Sequence, residues 1–96
     1  MDIYVYIMIS KKDGSFYFGQ STNPLNTLQL HNAGRSEYTK PRIPWQLLAF
    51  KKFDNRTEAL RTEMELRKIK NAQRILQYML YNEFQVVREE DSPIFK

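Results

Sequence analysis

Apolar and polar side chains alternate with a period of two from Ile3 to Ile9, the pattern of a strand with one face turned to a core. Ile3, Val5, Ile7 and Ile9 share one face, and Tyr4, Tyr6 and Met8 share the other. Asp13-Gly14 is the signal for a two-residue type I′ hairpin turn, since both residues tolerate positive φ. That turn sets Lys12 opposite Ser15 and Ser10 opposite Tyr17. Tyr17 then falls on the face of Tyr6 and Met8, while Phe16 and Phe18 join the isoleucines. A slip of one residue would exchange the two faces. A third strand is expected over 45–53, with Leu47, Ala49 and Lys51 alternating against Leu48, Phe50 and Lys52.

Between these runs the period changes to that of helices. Asn23 is a good N-cap, Pro24 suits the first helical position, and Gly34 offers a stop, so a helix is expected near 24–33. On it Thr27 and His31 are four apart and share a face. Residues 35–44, with Pro41, Pro44, several cations and Tyr38, read as an exposed loop. Asn55 and Glu58 form a capping-box pattern that opens a helix near 56–70. There Ala59, Glu63 and Leu66 fall at i, i+4, i+7 beside Leu60 and Met64, with Glu58, Arg61, Glu65 and Lys68 on the solvated side. Residues 75–84 suggest a short last helix, and 85–96 a strand or tail. The fold class is therefore α+β: a three-stranded antiparallel sheet (near 3–9, 15–20 and 45–53) flanked by helices. The expected core is Ile3, Val5, Ile7, Phe16, Phe18, Leu28, Leu60 and Met64.

Ninety-six residues suit one domain, 1–96, with one modest core. The absence of cysteine excludes a disulfide scaffold and a cysteine-based zinc site. No run reads as a signal peptide or membrane span, so a cytoplasmic protein without a membrane partner is expected. The formal net charge is +4, and 13 of the 15 Lys and Arg lie in residues 1–74. A basic body of this kind suits a polyanion, though many basic domains carry such charge for solubility alone.

The pattern leaves the chemistry open. Tyr4, Tyr6 and Tyr17 could simply cover a half-buried sheet. Glu63 beside an apolar stripe costs desolvation unless it is paired, with Arg67 at i+4 or with Arg56, or binds a cation. The wording of the two tyrosine runs adds something further. Tyr4-Val5-Tyr6 and Tyr17-Phe18-Gly19, at that separation, resemble the paired triplets of the GIY-YIG nuclease family. The likeness continues through Ser21-Thr22-Asn23-Pro24, His31-Asn32, Gly34, Tyr38-Thr39, Pro44-Trp45 and Glu58-Ala59-Leu60 to Glu63. It covers residues 3 to about 75, leaving 76–96 as a C-terminal extension, and is nearest to the short single-domain members.

The resemblance implies a metal-dependent DNA endonuclease. Tyr6 and Tyr17 would hold and help deprotonate the attacking water, and His31 would contact the phosphate or the tyrosine pair. Glu63 would be the protein ligand of one divalent cation, Mg2+ or Mn2+. DNA, branched or otherwise structured, would be the partner. Tyr38, Lys40, Arg42, Lys51, Lys52 and Arg56 are the candidate nucleic-acid contacts, the cations disposed around the phenol face and Tyr38 stacking on a base. Thr27 stands where the family places a phosphate-clamping arginine, and a hydroxyl cannot replace a guanidinium. Gln20 is uncharged where some relatives have lysine, and Asn71 is the candidate for a late family asparagine. Arg35 or Arg42 could fold back in compensation. The readings that remain are an endonuclease impaired by Thr27, a binding module that no longer cuts, and an interaction domain with tyrosines as core.

Overall fold

A computed structural model describes residues 2–88. The chain order is β1 (Ile3–Ser10), β2 (Phe16–Ser21), α1 (Pro24–Asn32), a 3₁₀ turn (Lys40–Arg42), β3 (Trp45–Phe53), α2 (Arg56–Lys68), α3 (Ala72–Tyr81) and β4 (Gln85–Val86). The strands form one antiparallel sheet in the order β2-β1-β3-β4. The α+β architecture is as the sequence predicts, but the sheet has four strands rather than three. The fourth is short: Val86 lies opposite Ala49, and the Val87 amide donates to the Leu48 carbonyl at 2.9 Å. Phe84, almost fully buried, anchors it on one face of the sheet while Val87 packs on the other.

The hairpin differs from expectation in its turn. Ser10 pairs with Ser15 across a four-residue loop, so Tyr17 lies opposite Met8, not Ser10. Only Gly14 has positive φ (77°), where a type I′ turn needs two such residues. Polar side chains select the longer loop. Ser10 Oγ accepts from the Lys12 and Asp13 amides at 3.1 and 3.2 Å, and Asp13 Oδ1 from the Ser15 amide at 2.9 Å. A shift of two residues leaves the faces unchanged. Tyr6 and Tyr17 accordingly share one face, with Met8, Leu28, Trp45 and Leu47.

α2 and α3 cover the other face, where Ile3, Val5, Ile7, Ala59, Leu66, Ile75 and Met79 are buried. Four core assignments change, and one assignment of faces with them. Leu60 and Met64 are about half exposed (49% and 52%), because the stripe of α2 that meets the sheet runs through Ala59 and Leu66. Phe16 and Phe18 are half-buried, since β2 is an edge strand with no neighbour on one side. Leu47 and Ala49 do not share a face, because the β1–β3 register shifts between Ile7 and Met8 and Leu48 is passed over.

Local chemistry fixes the helix ends. Asn23, Asn55 and Asn71 each cap a helix by accepting the amide three residues on. Asn71 thereby starts α3 at Ala72 rather than at 75. Gly34 (φ 80°) ends α1 with paired bonds from its own amide to His31 O and from the Arg35 amide to Leu30 O. Among the described residues no helix is long and apolar enough to cross a membrane.

Candidate active site

Gly19 lies opposite Tyr6 in the hairpin. A β-carbon at this position would stand 2.6 Å from the Tyr6 hydroxyl, so the bare backbone lets the phenol extend across β2. The hydroxyl meets His31 Nε2 at 3.1 Å, and Nδ1 of the same ring meets Thr39 Oγ1 at 2.8 Å. Tyr6, His31 and Thr39 are buried, Thr39 completely. Trp45 Nε1 donates to the Thr39 carbonyl at 2.9 Å, fixing the loop that carries it. That loop is further held by the hairpin tip, through Lys12 Nζ to Pro41 O (3.0 Å) and Arg42 to Asp13 (3.3 Å). Tyr17 completes the cluster, its ring centroid 5.2 Å from His31, 6.3 Å from Tyr6 and 5.9 Å from Tyr38.

Electrostatics follow from burial. The Tyr6 phenol is pushed well above its ordinary value of 10.0, first by burial and then by the neighbouring Tyr17 and Glu63, with Arg67 opposing. Burial also holds His31 below 6.5, so at neutral pH the ring is uncharged.

Glu63 comes from the other face. Its side chain is only 12% exposed, and Arg67 Nη2 donates to Oε2 at 2.5 Å. Gln20 Nε2 donates to Oε1 at 3.1 Å. The ion pair with Arg67 anticipated from their spacing is thus formed, and Glu63 acts on Tyr6 through its charge and not by contact. Thr27 is half-buried, with Oγ1 2.5 Å from Ser21 Oγ, which ties α1 to the end of β2. Of the five residues the structure brings three together: Tyr6, Tyr17 and His31 are in contact. Thr27 bonds instead to Ser21 and Glu63 to Gln20, both on the edge strand β2. An open cleft of about 780 Å³ continues along this edge, lined among others by Tyr17, Tyr38, Arg67 and Lys70; of the five, Tyr17 alone lines it.

The basic residues named from sequence do not form one ring around the phenol face. Arg42 stacks over Tyr38 at 5.5 Å and Lys52 lies opposite Tyr4, 4.0 Å from Asp2. Lys40 and Arg56 are exposed, on the 3₁₀ turn and at the start of α2. Lys51 is on the opposite face: it pairs with Val5, and its Nζ donates to Asn82 O at 2.8 Å. Thr39 and Lys70 have no assigned role in the sequence reading, and Gln20 and Arg67 enter it only as an uncharged position after the second triplet and as a partner for Glu63. Their signals were present only in part, as the i, i+4 spacing of Glu63 and Arg67 and as the Tyr38-Thr39 pair.

Among the described residues no three His, Cys, Asp or Glu come together as a ligand set. Glu63, whose two oxygens accept from Gln20 and Arg67, would hold a hard cation that keeps most of its waters, as Mg2+ and Mn2+ do, only by exchanging one of these bonds, and one carboxylate does not make a structural zinc site.

A family model described as the GIY-YIG catalytic domain matches residues 2–82. The chain is 38% identical over 73 residues to UPF0213 protein SH2523 of Staphylococcus haemolyticus, covering 75% of this chain and 88% of that protein. It is 31% identical over 90 residues to UPF0213 protein lwe0147 of Listeria welshimeri, covering 93% and 92%. The solution NMR structure of UPF0213 protein BH0048 from Bacillus halodurans superposes with a TM-score of 0.52 at 33% identity, covering 83% of this chain and 85% of that one.

Proposed function

The chain belongs to the GIY-YIG catalytic-domain family, and on that premise we propose that it is a metal-dependent DNA endonuclease working at the free edge of β2. The observation that carries this reading is the 3.1 Å contact between the Tyr6 hydroxyl and His31 Nε2. Burial keeps the phenol protonated, so Tyr6 can take a proton from water only if its own proton has somewhere to go. The neutral His31 ring is that acceptor when its proton is on Nδ1, donating to Thr39 Oγ1. The water oxygen then bonds to phosphorus while the ester P–O bond breaks; its oxygen leaves as an alkoxide that takes a proton from solvent, and His31 returns the proton it accepted to solvent. Tyr17, in ring contact with His31 and lining the cleft, orients the water. Glu63 would hold Mg2+ or Mn2+, which supplies charge neutralisation at the phosphate when bound.

Two observations favour a second reading. Thr27 leaves the α1 position without a charge, and both Glu63 oxygens already accept hydrogen bonds. A binding module that retains the cleft and does not cut would look the same. Incubation of linear and branched DNAs with Mg2+ or Mn2+ separates the two. Cleavage by the native protein that disappears in Glu63→Gln supports the nuclease, and DNA binding without any cleavage supports the module.

A further inference from the structure

We propose that Arg67 is the phosphate-binding cation of this site, taking from α2 the part that Thr27 on α1 cannot play. The inference rests on the nuclease reading only in requiring that DNA occupies the edge of β2. Arg67 is one turn beyond Glu63, and its side chain is 56% exposed. It lies where the carboxylate ends and the cleft begins: it pairs with Glu63 and also lines the cleft beside Tyr17 and Lys70. Both of its hydrogen bonds, to Glu63 Oε2 and to the Phe18 carbonyl at 3.2 Å, pass through Nη2. Among the described residues Nη1 and Nε make no hydrogen bond, so each keeps N–H donors for a phosphate oxygen, and release of Nη2 from Glu63 would complete a two-pronged fork.

The neighbours strengthen the case. Phe18 belongs to the edge strand, so its carbonyl holds the guanidinium in line with that edge. Lys70 adds a second cation to the lining of the same cleft, which Tyr17 and Tyr38 also line. Arg42, a candidate in the sequence, is engaged with Asp13 and Tyr38. Glu63 Oε2 cannot serve Arg67 and a divalent cation equally. The guanidinium and the cation therefore compete for that oxygen, and a cation on Glu63 would leave Arg67 to the phosphate.

The competition gives two readouts that move in opposite directions. Arg67→Gln should weaken binding of a fluorescent oligonucleotide by about tenfold and lower the salt slope by about one. In the same variant, Mn2+ bound to the protein, followed by electron paramagnetic resonance, should bind more tightly than in the native chain. Arg61→Gln, on the solvated side of the same helix, should change neither. Thr27→Arg added to Arg67→Gln should restore the oligonucleotide affinity. If the native protein binds the oligonucleotide and Arg67→Gln binds it with the same affinity and slope, Arg67 is not the clamp. If the native protein does not bind it at all, the DNA reading itself falls, and this proposal with it.

Discussion

The Tyr6 hydroxyl occupies the space a side chain on Gly19 would need, with 2.6 Å between the oxygen and an added β-carbon. The glycine of the second triplet is thus explained by the tyrosine of the first. Tyr6 cannot yield easily, because it is buried against Tyr17 and bonded to His31. Gly19→Ala should therefore destabilise the fold by roughly 1–3 kcal/mol through overpacking. It should lower DNA cleavage further than the lost stability accounts for. Denaturant unfolding paired with a cleavage assay measures both.

The buried His31 makes stability depend on pH. Its folded value lies below 6.5 while the unfolded ring titrates near 6.5, so on acidification the unfolded chain takes up the proton first. The contribution is complete above pH 6.5 and is lost as pH falls through the folded value. Urea midpoints across this range should fall more steeply for the native protein than for His31→Asn. Equal slopes would mean that the ring is not held neutral by the fold.

Thr39 should act through His31. Thr39→Val removes the partner of Nδ1 in a fully buried place and should cost about 1–3 kcal/mol. Thr39→Ser keeps the hydroxyl and should retain most of the stability. Nitrogen NMR of the imidazole should show the Nδ1-protonated form in the native and serine proteins and a mixture in the valine variant.

A charge added at position 27 should speed the reaction. With Arg67 already facing the phosphate, the gain should stay below the roughly one to three orders of magnitude that a wholly missing clamp, worth on the order of two to four kcal/mol, would give. Thr27→Arg gives up the bond to Ser21, so its unfolding midpoint should be measured alongside. Cleavage should rise with Mg2+ or Mn2+ present, and Glu63→Ala in that background should abolish it. A Thr27→Arg protein that folds, binds DNA and does not cut would leave the binding module as the better description.

Much of this arrangement is legible in the chain because the determinants are local. The alternation through β1 puts Tyr6 and Tyr17 on one face, and a hairpin shift of two residues leaves that intact. The asparagine caps and Gly34 fix the helices that carry Glu63 and His31. What is hidden in the sequence depends on contacts between distant elements. Whether Ala59 or Leu60 faces inward depends on where the sheet meets α2. The bypassed Leu48 reverses an alternation that looks regular on paper. Thr39 lies in a polar, proline-bearing stretch that reads as exposed, yet the Trp45 indole and the His31 ring close over it.

The bond from the Trp45 indole to the Thr39 carbonyl gives the molecule an optical reporter. Trp45 is the chain's only tryptophan, almost fully buried, with its ring centroid 6.2 Å from that of Tyr17. Emission excited in the indole therefore originates beside the phenol cluster and from nowhere else in the fold. A ligand that draws Tyr17 outward or lifts the loop bearing Thr39 would admit water to the ring and shift its spectrum to the red. Occupancy of the β2 edge can thus be followed in the unlabelled protein, with no residue replaced.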